Sequence, residues 1–242
     1  MEEWKNKIIQ GDCLEVMKDI PDKSVDMILC DLPYGTTACK WDTIIPFEPL
    51  WEQYKRIIKD NGAIVLTASQ PFTSALVMSN PKMFKYEWIW EKTRFSNQML
   101  AKKQPLKIHE NILVFYKNQP DYQPQGIVEV NKKTRQGKKI TDNIGGGERK
   151  TEYLQTHTNY PKTIQLFKNE TGMHPTQKPV ALFEYLIKTY TNEGDTVLDN
   201  CAGSGTTGVA CKNLNRNFIL IEKEPEYIEI INQRLTPLKD NK

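Results

Sequence analysis

The chain has 242 residues, 38% hydrophobic and 26% charged, with a formal net charge of +3. That is long enough for one large core with a small insert, and too weakly charged overall to mark a polyanion-binding protein by itself. No apolar run reaches membrane-spanning length and no signal peptide is visible, so a cytoplasmic location is expected. The five cysteines (Cys13, Cys30, Cys39, Cys201 and Cys211) are odd in number and lack CxxC spacing. They argue for reduced thiols and against a zinc site or a disulfide framework.

Residues 7–11 read as a short strand leading to Asp12, and 14–20 as a helix. Residues 25–30 are an apolar run bounded by Pro21 and Pro33, a buried strand that ends on Asp31-Leu32-Pro33-Tyr34. Asp31 then stands at the carboxyl end of a strand, where open α/β sheets bind their ligands. The tetrapeptide joins a carboxylate, a fixed turn and an aromatic face; a strand-ending turn with a solvated Asp fits it as well. Helical spacing predicts a helix over 48–59, ended by Asn61-Gly62, and a buried strand over 63–68. A short helix to Met78 follows. Two longer strands, 86–92 and 111–116, read as a hairpin at the edge of the sheet.

From 117 to 170 both periodicities fail. Within 131–150 Lys132, Lys133, Arg135, Lys138, Lys139, Arg149 and Lys150 face only Asp142 and Glu148, an excess of +5 in a chain of net +3. An inserted recognition region with a disordered loop is expected, a solvated spacer being the plainer reading. Regular pattern returns with a helix after Pro179, a strand over 196–199, a helix over 206–214, a strand ending at Glu222 and a helix over 225–235. Alternating strands and helices on both sides of the insert predict an α/β fold, a mostly parallel sheet with helices on both faces.

Asp199-Asn200-Cys201-Ala202-Gly203-Ser204-Gly205-Thr206-Thr207-Gly208 joins a predicted strand to a predicted helix. Gly203, Gly205 and Gly208 satisfy G-x-G-x-x-G, and Glu222 lies about 20 residues on, where an acid that binds ribose belongs. NAD, FAD and S-adenosylmethionine all fit this turn, as does a purely structural strand-to-helix connection. A carboxylate at Asp199 would repel a pyrophosphate and suits the cationic end of a bound methionine. That favours S-adenosylmethionine.

Taken together, these motifs resemble the beta group of DNA amino-methyltransferases, whose catalytic motif precedes the cofactor motif. Asp31-Leu32-Pro33-Tyr34 is similar to the group's [DNS]-P-P-[YFW], and Leu198 to Thr207 to its D-P-F-x-G-S-G-T-T loop. His174-Pro175-Thr176-Gln177-Lys178-Pro179 matches its H-P-T-Q-K-P element, Gly11-Asp12-Cys13 its N-terminal G-D-C, and the segment from His109 to Phe115 a core strand. Leu32 departs from the first proline and Asn200-Cys201 from Pro-Phe. The resemblance implies a Rossmann-like methyltransferase fold, circularly permuted, with a mostly parallel seven-stranded sheet. It divides the chain into a catalytic half (1–116), a target-recognition insert (117–170) and a cofactor half (171–242).

The resemblance also implies S-adenosyl-L-methionine as cofactor, double-stranded DNA as partner, no metal, and a homodimer as in many of the group's members. Asp31 and the Leu32 carbonyl would accept hydrogens of the target amine, Pro33 would fix the turn, and Tyr34 would stack on the flipped base. Asp12 and Cys13 would line the adenine pocket, and Glu222 would hold the ribose hydroxyls. Asp199 and Gly203, with Thr176 and Lys178, would hold the methionine end; Cys201, Ser204, Gly205 and Thr206 complete the loop. Asp12 also reads as a helix N-cap, Lys178 as surface charge and Glu222 as a solvated strand end. Asp31 favours adenine N6 over cytosine N4, because the group's cytosine enzymes tend to carry Ser there. The rivals are a silent DNA-binding relative and a dinucleotide-dependent oxidoreductase.

Overall fold

The computed structural model describes residues 1–36, 42–135, 152–170 and 177–236. The chain divides into two units, Met1–Gln123 with Thr163–Lys242, and Pro124–Lys162.

The first half of the larger unit contributes β1 (Lys7–Gln10), α1 (Cys13–Asp19), β2 (Val25–Cys30), α2 (Phe47–Ile57), β3 (Ile58–Ala68), α3 (Phe72–Ser79), β4 (Phe84–Ser96) and β5 (Lys107–Phe115). The smaller unit is a two-stranded antiparallel ribbon of β6 (Val128–Arg135) and β7 (Glu152–Thr158). The chain then returns as β8 (Ile164–Phe167), α4 (Val180–Tyr190), β9 (Thr196–Asp199), α5 (Thr206–Asn213), β10 (Asn217–Glu222) and α6 (Pro225–Leu235).

Eight strands form one sheet in the order β1-β10-β9-β2-β3-β5-β4-β8. All neighbours are parallel except that β5 runs against both β3 and β4. Alternation along each strand divides the core between the two faces. Ile28 and Cys30 of β2 point to the face covered by α1, α2 and α3, where Met17, Leu50, Tyr54 and Leu76 are buried. Met27 and Leu29 point to the opposite face, under Phe183, Leu186 and Ile187 of α4 and Cys211 of α5.

The sheet has eight strands where seven were expected. The extra one, β8, comes from the stretch in which periodicity fails, and it pairs with β4 from Ile89↔Ile164 to Lys92↔Phe167. It also displaces the β4–β5 hairpin from the sheet edge. Four residues are too few to establish a period, and on this edge strand Ile164 and Leu166 face outward. The smaller compact unit, Pro124–Lys162, is narrower than 117–170, and the residues flanking it on both sides belong to the larger unit. Asn61-Gly62 lies inside β3 rather than ending a helix; α2 closes at Ile57 when the Ile58 N–H donates to the Tyr54 carbonyl. A Cβ at Gly62 would sit 2.7 Å from the Asp26 carbonyl, so glycine is required where the β2–β3 register shifts.

Candidate active site

Parallel pairing brings the carboxyl ends of β1, β10, β9, β2 and β3 to one edge of the sheet. Asp12, Asp31, Asp199 and Glu222 follow or end four of these strands, and all line one cavity of about 590 Å³. The Asp31–Tyr34 and glycine motifs meet because β2 and β9 are neighbours, with Met27↔Val197 and Ile28↔Leu198 in register. This is the crevice at which open parallel sheets bind ligands.

At its centre is the Asp31 carboxylate. Its Oδ1 lies 2.7 Å from the Tyr34 hydroxyl and accepts a hydrogen bond from Thr67 Oγ1. Its Oδ2 accepts from Lys178 Nζ at 2.5 Å. A carboxylate has about four lone-pair positions, so one on Oδ2 stays open to the cavity that Asp31 lines. Burial, with Asp31 and Glu110 nearby, pushes the Tyr34 phenol well above its ordinary range, so it stays a protonated donor. Beyond Tyr34 the backbone turns at Gly35, and the buried Asp42 clamps it by accepting from Gly35 N at 2.8 Å and Thr36 N at 2.9 Å. Leu32 buries its side chain in the core, which explains how a leucine serves at the proline position.

Lys178 pairs with the Asp31 carboxylate. Its ammonium is buried between Asp31 and Glu110 (Oε2 at 3.4 Å) rather than exposed as surface charge, and the residue lines the cavity. Glu110 in turn binds Lys92, so two carboxylates and two ammonium groups form a chain beside the Asp31–Tyr34 motif. Burial alone would lower the Lys178 pKa, but Asp31 and Glu110 outweigh it and the net shift is upward. Burial would raise Glu110, and Lys178 and Lys92 bring it below its ordinary value. Both therefore stay charged near neutrality. One face of Tyr34 is occupied by Phe72, at 5.3 Å between ring centroids and 27° between planes.

The glycine loop is tied down at every turn. Asp199 accepts from Cys201 N at 3.1 Å and from the Thr207 hydroxyl, and burial raises its pKa to about 6. Gly203 N donates to Glu222 Oε2 at 2.7 Å, while Glu222 Oε1 accepts from the Lys223 and Glu224 amides. Burial raises Glu222 despite those donors. Gly203 and Gly205 have positive φ, 51° and 77°. Arg234 of α6 pins Ser204 by its carbonyl at 2.6 Å, and Thr206 Oγ1 reaches the Lys178 carbonyl at 3.4 Å. Where the resemblance expects Pro-Phe, Asn200 is buried and accepts from Tyr54 Oη at 2.6 Å, and Cys201 packs on the core.

Asp12 is the N-cap of α1, accepting from Leu14 N at 2.9 Å, and it lines the cavity beside Cys13. Thr176, Lys138, Lys139, Arg149 and Lys150 lie outside the described residues, while Lys132 and Lys133 are exposed on β6, which Arg135 ends. Sequence reasoning missed Thr67, Asp42, Lys92 and Glu110. Only Glu110 carried a signal, as part of the 109–115 segment that the resemblance matched to a core strand.

A family model described as DNA methylase, of the N6/N4 type, matches residues 25–233. The chain belongs to this DNA methylase family. The methylase is 32% identical over 94% of its length to the DNA adenine methyltransferase YhdJ of Escherichia coli, spanning 82% of that protein. It is 29% identical to the type II methyltransferase M.HpaI of Haemophilus parainfluenzae, over 95% of this chain and 74% of the relative. The crystal structure of an M1.HpyAVI–SAM complex superimposes with a TM-score of 0.67 at 28% identity, over 95% of this chain and 98% of that one. The cytosine-N4-specific PvuII methyltransferase shares the fold, with a TM-score of 0.71 at 17% identity over 98% of this chain and 88% of that one.

The cavity chemistry fits S-adenosylmethionine. Asp12, Asp199, Glu222 and Glu224 give acceptors for an ammonium and for hydroxyls, and Leu32, Ile44, Ile45 and Pro46 give apolar walls for a nucleoside. The same carboxylates would repel a pyrophosphate.

Proposed function

We propose that the protein moves a methyl group from S-adenosyl-L-methionine to N6 of an adenine flipped out of double-stranded DNA. The carrying observation is Asp31: three donors fix its carboxylate and leave one lone pair on Oδ2 in the cavity shared with the glycine loop. An exocyclic amine is a poor nucleophile because its lone pair is delocalised into the ring. Accepting its N–H turns that lone pair out of conjugation, and we assign this role to Asp31 Oδ2. As the nitrogen becomes cationic this charge-assisted bond strengthens, so Asp31 favours the transition state over the ground state. The Leu32 carbonyl is assigned the second N–H, and Asp31 is the base offered to the excess proton. When bound, the cofactor supplies an electrophilic methyl on a sulfonium, a leaving group that needs no metal to depart.

Cys13 and Asp12 are assigned to the adenosine end, Glu222 to the ribose, and Asp199 with Gly203 to the methionine ammonium. The Pro124–Lys162 unit, in which Lys132 and Lys133 are exposed and whose sequence also carries Arg135, Lys138, Lys139, Arg149 and Lys150, is assigned to DNA reading. Four free thiols, Cys13, Cys30, Cys201 and Cys211, fit a reducing cytoplasm. A homodimer is the assembly expected from the group, and sedimentation velocity measures it.

Nucleoside mass spectrometry on plasmid DNA incubated with the protein and cofactor tests the reaction. N6-methyladenine is the expected product. N4-methylcytosine would overturn the base assignment, and no methylated base on DNA of varied sequence would overturn the reaction.

A further inference from the structure

The β4–β5 hairpin opens at the same sheet edge as the active site: Lys92 and Ser96 of its first strand line the cavity with Asp31. Its tip, residues 93–109, comprising the ends of both strands and the 97–106 connection, carries Arg94, Lys102, Lys103 and Lys107 and no acid. It is also unusually apolar for a surface loop. Met99 is 96% exposed, and Phe95, Leu100, Leu106 and Ile108 are exposed around it.

The loop is held in shape rather than draped. Asn97, at φ 59°, accepts from Lys107 N at 2.8 Å and donates to the Pro105 carbonyl. Successive turns return Leu100 N to Asn97 O, Lys103 N to Leu100 O and Gln104 N to Leu100 O. An ordered tip that presents an unbranched apolar side chain to water, rimmed by cations, marks an interaction surface.

We infer that this hairpin is a second DNA-contacting element, with Met99 as a wedge entering the base stack beside the flipped nucleotide. Its basic residues, Arg94, Lys102 and Lys103, bind phosphates on either side. The charge sign selects a polyanion, and the position at the cavity mouth selects the duplex from which the target base is drawn. Apolar wedges of this kind offset unstacking by filling the gap it leaves. The inference rests on the DNA methyltransferase reading and adds a contact surface outside the 124–162 unit.

Two measurements test it. The first compares methyl transfer to native plasmid DNA and to its heat-denatured form. Met99→Ala is expected to lose at least about tenfold in kcat/KM on native DNA and nothing on the denatured form, with Met99→Leu restoring the loss. Equal rates of wild type and Met99→Ala on native DNA overturn the wedge. The second follows anisotropy of a labelled duplex across a salt series, which needs no catalysis. Lys102→Ala/Lys103→Ala is expected to reduce the slope of log K against log[salt] by about 1.8. An unchanged slope overturns the phosphate assignment even if wild type methylates DNA. A Met99→Ala variant that sediments as a smaller species, with native-DNA activity per protomer unchanged, would make the patch a protomer interface and overturn the inference. Wild type inactive on both DNA forms, with the salt slope responding as expected, would instead sink the methyltransferase reading and leave the contact surface standing.

Discussion

At the residue scale the site is a problem of acceptors and charge. The D-L-P-Y motif was legible because a strand end, a proline and an aromatic are local signals. Its partners were not. Thr67 and Glu110 lie on neighbouring strands, and which strands are neighbours is not written in any local window. Lys178 illustrates the point: sequence placed it at the methionine, whereas the fold turns its ammonium onto Asp31 at 2.5 Å. The two placements give different kinetics. Lys178→Met is expected to lower kcat by about a hundredfold through a misoriented Asp31, leaving cofactor affinity unchanged in calorimetry. A weakened cofactor Kd with kcat intact would return Lys178 to the methionine end.

Asp199 offers a second residue-scale test. Its pKa rises from the ordinary 3.8 to about 6, chiefly by burial. The folded state therefore holds this proton more tightly than the unfolded chain. The contribution favours the fold at low pH and is lost as pH climbs through that window. Asp199→Asn can still accept from Cys201 N and donate to Thr207. It should remove that fall and raise stability at pH 7 by at most ~3 kcal/mol, while weakening cofactor binding. Denaturant melts at pH 4 and 7 read the first effect; a variant with the wild-type pH slope would count against it.

At the element scale, long periodic segments were legible and short or irregular ones were not. α2, α4 and α6 each bury one face and were readable from spacing alone. β8 has four residues and its outward positions are the apolar Ile164 and Leu166, so no polar-out alternation reveals it and the sheet edge was misplaced. The glycine turn was readable because its positions demand unusual backbone. Gly205, at φ 77°, would place a Cβ 3.0 Å from Ile231 Cγ1. Gly205→Ala should cost about 1–2 kcal/mol in strain and loosen the loop, seen as a lower Tm and a weaker cofactor Kd. An unchanged Tm would contradict the strain assigned to this turn.

At the scale of the whole molecule, chemistry and DNA reading are assigned to different parts of the chain. The larger unit contains both faces of the core and the entire cavity, and the smaller is a ribbon with its own internal pairing. Replacing 124–162 with a flexible linker should leave cofactor affinity and the main unfolding transition unchanged while reducing DNA affinity. Loss of the cooperative transition would show that the ribbon is part of the folding unit. A separate stretch was expected from its charge, and the compact unit falls within it, but the unit's limits were not legible, because composition blends into the β8 flank.

The central claim is that Asp31 Oδ2 accepts the target amine at the moment of transfer. Single-turnover methyl transfer by Asp31→Asn, with cofactor Kd measured alongside, tests it most directly. A fall of about 10³-fold in the transfer rate, ~4 kcal/mol of lost transition-state stabilisation, with Kd unchanged, is the expected result. A wild-type rate, or a loss explained wholly by weaker cofactor binding, would contradict the claim.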